Sequence, residues 1–186
     1  TIPSLAEAGF TGSSRLDPQR LAATIRLHQP HSLVLVPELL RLVVTQNENQ
    51  PEIGRSLRFV AVGGGKVSPE LIRRAKALGL PVFEGYGLSE CGSVVALNTP
   101  DDEAIGSVGR PLPHLAVRIA QDGEIIVRGA AMLGYLGETE AAPQEIATGA
   151  LGHLDAASFL HVTGRKKNVQ ITAFGRNFSP EWIESE

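Results

Sequence analysis

Hydrophobic and polar positions change their rhythm near residue 98. Before that point short apolar runs alternate with segments whose apolar residues recur at helical spacing. Asp17-Pro18 offers an N-cap and a proline at the first helical position, and Leu21 and Ile25 follow on one face, so the spacing predicts a helix over about 18–28. His31 to Val36 (HSLVLV) follows Pro30 as a buried strand, and Leu39 to Val44 continues as an amphipathic helix. Leu57 to Val62 (LRFVAV) is a second strand, ended by Gly63-Gly64-Gly65. Ser68-Pro69 opens a third helix with Leu71, Ile72, Ala75 and Leu78 on its apolar face and Gly79 as its stop. Strands are then predicted at Pro81 to Glu84 and Ser93 to Leu97. Such alternation is the signature of a mostly parallel sheet.

After Asn98 the helical spacing disappears. Leu115, Val117 and Ile119 alternate with Ala116 and Arg118, Asp122-Gly123 makes a turn, and Glu124 to Arg128 (EIIVR) alternates again, which predicts a β-hairpin. Phe159 to Val162 adds a strand, Gly164 to Phe178 is polar and basic, and Pro180 to Ile183 starts a helix. The expected class is α/β: a partial, mostly parallel β/α subdomain over 1–102, a small antiparallel β-barrel-like unit over 103–163, and the truncated start of a C-terminal α+β domain over 164–186. A start at Thr1 without Met and an end at Glu186 within that last helix are what is expected of an internal fragment.

Composition narrows the classes. A hydrophobic share of 42% with 20% charged residues suits a globular chain of 186 residues. The net charge of −3, with both signs interspersed, excludes the basic stripe of a nucleic-acid binder. No apolar run reaches the length of a membrane span, and no leader opens the chain. The single cysteine, Cys91, excludes an intrachain disulfide and a cysteine-rich zinc site, which points to a reducing cytoplasm. His28, His31, His114, His153 and His161 lack ligand spacing and are expected to be structural or surface residues, and Cys91, which lacks a helper histidine, is expected to serve packing.

Two glycine-containing turns carry the candidate chemistry. Gly63-Gly64-Gly65 and Glu84-Gly85-Tyr86-Gly87-Leu88-Ser89-Glu90 both follow strands, and open α/β sheets bind ligands at the carboxyl ends of their strands. Glycines allow close backbone approach, Tyr86 offers a ring to stack on a base, Ser89 a hydroxyl for a phosphate, and Glu90 a hard oxygen for Mg²⁺. A triple glycine alone reads as a tight turn without ligand, and Arg165-Lys166-Lys167 on charge alone reads as a solvated cluster.

The string GYGLSE resembles a motif of the adenylate-forming (AMP-binding) superfamily. GSVGRPLP, GEIIVRG, MLGYL, TGALGHLD, FLHVTGRKKN and GRNFSPEWIE follow in that family's order, and GRKKN with the last string is similar to bacterial long-chain acyl-CoA synthetases. The resemblance implies an acid–thiol ligase that joins a small-molecule carboxylate to ATP with Mg²⁺, then to CoA. By the same resemblance Gly63, Gly64, Gly65, Glu84, Gly85, Tyr86 and Gly87 line the adenine site, Ser89 meets the α-phosphate, and Glu90 holds Mg²⁺. Arg165 reaches the ribose or a phosphate, Lys167 marks the hinge of the small domain, and Gly175 belongs to its CoA-facing turn.

Three departures accompany the match. The family's Lys-ended phosphate loop has no counterpart (Gly12-Ser13-Ser14 precedes Arg15), the late lysine of the small domain is missing, and Ala150 stands where a ribose-binding aspartate is expected. The chain by itself is therefore expected to be inactive, and exposed sheet surface is expected to make it dimerise. The competing interpretation is a degenerate homologue that binds nucleotide or acyl group without catalysis.

Overall fold

The computed structural model describes residues 3–11, 15–129, 131–137 and 143–168, together with the backbone of 170–171 and 177–178. The helix predicted from Pro180, Gly175 and Gly12 to Ser14 lie outside these residues. The chain forms two compact units: one holds the residues up to Val62 together with Glu70–Val82, the other Gly63–Pro69 together with Phe83 onward.

In the first unit, helix α1 (Pro18–His28) starts where Asp17 accepts hydrogen bonds from the Gln19 and Arg20 N–H groups, and it ends at Gln29 in the left-handed conformation. Strand β1 (Ser32–Leu35) pairs in parallel with β2 (Phe59–Val62), Ser32 opposite Phe59. Helix α2 (Pro37–Asn49) connects them and buries Leu40, Val43 and Val44. It is longer than its apolar run because the polar stretch from Thr45 to Asn49 stays helical. Buried Asn47 justifies its place there: its amide oxygen accepts from the Gly54 N–H at 3.0 Å and its NH₂ donates to the Leu78 carbonyl at 3.4 Å. Helix α3 (Pro69–Ala77) buries Leu71, Ile72 and Ala75, as its spacing predicts.

Strand β3 (Val82–Tyr86) leads the chain into the second unit. The strand expected at Ser93 to Leu97 is shorter and runs the other way. Strand β4 (Ala96–Leu97) is antiparallel to β3, with Tyr86 opposite Ala96, and β5 (Arg110–Pro111) is antiparallel to β4. The reason is length: residues 87–95 are fewer than the dozen or so that a parallel crossover needs. A 3₁₀ turn at Ser89–Cys91 followed by positive φ at Gly92 and Ser93 reverses the chain instead.

The predicted hairpin is present as β6 (Ala116–Ile119) and β7 (Glu124–Arg128), and β8 (Glu145–Leu154) and β9 (Leu160–Arg165) complete a four-stranded antiparallel sheet. The ten-residue β8 is hidden in the sequence by its glycines. Ile146, Thr148 and Ala150 face inward, and a register shift at Leu151/Gly152 absorbs the bend. Val95, Ala96, Ile125, Val127, Ile146, Ala150 and Leu160 form the core of this unit. A 3₁₀ turn, Lys166–Asn168, follows β9, and β10 (Gln170–Ile171) pairs with β11 (Asn177–Phe178).

Candidate functional site

Two neighbouring cavities in the second unit share Arg165. The first, of about 310 Å³, is lined by Gly64, Gly65 and Lys66 of one turn, by Glu84 to Gly87 of β3 and its exit, by Gly106 and Val108, and by Ala150, Val162, Gly164, Arg165 and Asn168 of β8, β9 and the following turn. The second, of about 740 Å³ and more open, has Glu90, Tyr135, Thr148, Arg165 and Lys167 in its wall.

The two glycine turns meet backbone to backbone. A Cβ on Gly63 would stand 2.8 Å from the Gly85 carbonyl oxygen, and one on Gly87 would overlap the Ser93 carbonyl. Glycine at both positions is thus a packing requirement. Asn98 holds the next loop in place: its NH₂ donates to the Glu84 and Ser107 carbonyls at 3.1 and 2.8 Å, and its oxygen accepts from the Ala104 N–H at 2.9 Å.

Charges at the site are organised by burial. The Glu84 carboxyl is pushed from an ordinary 4.5 up to about 8 by burial, against the opposing pull of a Val67 N–H bond and the nearby Lys66 charge. Burial likewise raises the Tyr86 phenol, which is hydrogen-bonded to Thr148. Glu90 behaves oppositely. Its own backbone N–H, the Tyr135 hydroxyl donating to Oε1 at 3.0 Å, and the Arg165 charge all hold it below the usual carboxylate range. Lys166 binds Asp122 at 2.5 Å and Glu124 at 2.9 Å, and Glu124 accepts from the Gly149 N–H at 2.8 Å. That relay ties the start of β7 to the Gly149 backbone in β8 and to the turn that follows Arg165.

The structure therefore gathers Gly64, Gly65, Glu84, Gly85, Tyr86, Gly87, Ala150 and Arg165 around one cavity, with Glu90 and Lys167 around the next. Gly63 stands behind the first as backbone packing. Ser89 is exposed and lines neither cavity. Lys66, Thr148, Glu124 and Tyr135 were not singled out by sequence. Lys66 follows the triple glycine directly and Tyr135 sits within MLGYL, so both had a positional signal, whereas Thr148 and Glu124 acquire their roles only through strand pairing. Cys91 is buried and its thiol is pushed up by that burial, which suits packing rather than nucleophilic attack. His161 faces the Gly106 carbonyl and Asp155 and stacks on His153, a structural arrangement. Among the described residues no three His, Cys, Asp or Glu side chains converge as a metal site.

The family model for the AMP-binding enzyme matches residues 6–136. The chain belongs to that family. Long-chain-fatty-acid--CoA ligase FadD15 of Mycobacterium bovis is 38% identical over 140 residues, 72% of this chain and 23% of that protein. The 2-succinylbenzoate--CoA ligase of Bacillus subtilis is 28% identical over 186 residues, 90% of this chain and 38% of that protein. Among solved structures, O-succinylbenzoate Coenzyme A Synthetase (MenE) from Bacillus subtilis in complex with AMP aligns with a TM-score of 0.78 at 27% identity, covering 93% of this chain and 39% of that one. The chain thus spans between 23% and 38% of the length of these two curated relatives. Among the described residues no helix is long and apolar enough to cross a membrane.

Proposed function

We propose that this chain is the nucleotide-holding portion of an ATP-dependent acyl-CoA ligase, and that the first cavity takes the adenylate. The observation that carries this reading is the convergence of Tyr86, the two glycine turns and Arg165 on one cavity, with Glu90 in the adjoining one. A purine stacks on the Tyr86 ring between the glycine turns. The protonated Glu84 carboxyl supplies a neutral donor and acceptor beside it, and Lys66 and Arg165 supply positive charge for an anionic ligand. In an adenylate-forming reaction a carboxylate attacks the α-phosphorus of ATP and pyrophosphate leaves, after which the CoA thiol displaces AMP.

Magnesium fits the residues present. Glu90 remains ionised, one of its oxygens is held by Tyr135, and a single carboxylate shared with substrate phosphates is how this ion is ordinarily bound. When bound, the ion offsets phosphate charge. Lys167, exposed in the turn after β9, is assigned to the pivot of a following domain.

For the acid, a fatty acyl chain is favoured by the higher identity to FadD15, 38% against 28% for the succinylbenzoate enzyme. The 186 residues alone are assigned nucleotide binding without turnover. Titration calorimetry with AMP tests this: the chain binds AMP, Tyr86→Ala weakens binding about tenfold through lost stacking, and Arg165→Ala weakens it by a similar factor. Unchanged affinity in both variants would sink the assignment.

A further inference from the structure

We propose that the first cavity accepts ribo- and 2′-deoxyribonucleotides alike, because Ala150 puts a methyl group where a sugar-reading acceptor would have to stand. The inference rests on the nucleotide reading above and goes beyond it. Ala150 belongs to the inward face of β8 with Ile146 and Thr148, is 1% exposed, and lines the cavity directly opposite Arg165 in the β8–β9 register. Side chains at paired positions lie on the same face of a sheet. At these paired positions β8 and β9 thus offer the cavity a methyl group beside a guanidinium, which donates but cannot accept.

Sugar hydroxyls are distinguished from hydrogen chiefly by an acceptor that would be left unpaired without them. Among the described residues the side chains lining the cavity that can accept are Glu84, Tyr86 and Asn168, and the Tyr86 hydroxyl is hydrogen-bonded to Thr148. Glu84, the only carboxyl group among the described residues lining the cavity, accepts from the Val67 N–H and is assigned above to the purine rather than the sugar. The Thr148 hydroxyl donates to the Ile125 carbonyl at 2.8 Å and accepts from the Ala150 N–H at 3.2 Å. Asp155, five residues along, accepts from the Ala157 and Phe159 N–H groups, both at 2.9 Å, and faces His161, so it is committed to its own turn and does not line the cavity. Asn168 is exposed. Removing the 2′-hydroxyl thus strands no buried side-chain acceptor.

Calorimetric titration of the 186-residue chain with AMP and with 2′-deoxy-AMP tests this directly. The expected dissociation constants agree within about threefold, because no buried acceptor is stranded and the exposed Arg165 guanidinium can donate to water instead. Ala150→Asp, whose carboxylate would face Arg165, is expected to raise the preference for AMP to about tenfold or more. Ala150→Ser is the smaller change that decides if the aspartate variant fails to fold, and it should give a several-fold preference. A wild-type preference for AMP above about threefold overturns the inference while leaving nucleotide binding intact. Folded variants that gain no preference overturn it as well. Absence of binding by either nucleotide overturns both this inference and the nucleotide reading beneath it.

Discussion

Glu84 is the residue at which fold and site pull against each other. Its carboxyl is 6% exposed, and burial raises its folded pKa from 4.5 to about 8. Between those two values the folded chain binds more protons than the unfolded chain, so stability falls as pH rises through that window and levels off above it. Glu84→Gln removes the titration while keeping an amide oxygen for the Val67 N–H. The variant should show a flatter stability profile from pH 5 to 8 and gain on the order of a few kcal/mol over the parent at the alkaline end. Urea melts at four or five pH values measure it, and parallel profiles for the two proteins would contradict the assignment. Sequence alone reads Glu84 as the start of a glycine turn, whereas it lies within β3, and its burial is not legible because a glutamate before Gly85 is written the same way in an exposed loop.

At the scale of elements, legibility followed periodicity. α1 and α3 obey the spacing of their apolar residues, and Asp17-Pro18 caps α1 where the cap rule places it. The hairpin of β6 and β7 is also as written, since strict alternation around Asp122-Gly123 admits little else. β8 escaped because Gly149 and Gly152 look like a turn and only cross-strand partners make them a strand. That β4 runs antiparallel within a sheet expected to be mostly parallel is not legible, because the reversal rests on backbone angles at Gly92 and Ser93 that no apolar pattern records. The loop between β4 and β5 depends on a single amide. Asn98→Ala would leave the Ser107 carbonyl and the Ala104 N–H without their partner, at a cost of about 2–4 kcal/mol. Gly87→Ala should cost at least as much, since its methyl meets the Ser93 carbonyl. Thermal denaturation of both variants checks this: a change under about 0.5 kcal/mol in Asn98→Ala would show that the β4–β5 loop is held by something else, and in Gly87→Ala that the β3–β4 reversal can yield.

For the whole molecule, exposed apolar surface makes a prediction of its own. Val34 on β1 is 86% exposed and Leu27 on α1 is 79% exposed, while β1 stands at the edge of its sheet. Edge strands with open apolar faces pair with further chains unless charged residues discourage it. Sedimentation velocity should therefore show concentration-dependent self-association that Val34→Lys suppresses, whereas a clean monomer at high concentration would count against it.

The account depends most on the two glycine turns and Arg165 forming one nucleotide site, and an AMP titration followed by amide NMR tests that most directly. Chemical shifts should move at Gly64 to Val67, Glu84 to Gly87, Ala150 and Arg165, with α1 and α2 unaffected. Shifts confined to other surfaces, or none at saturating AMP, would contradict it.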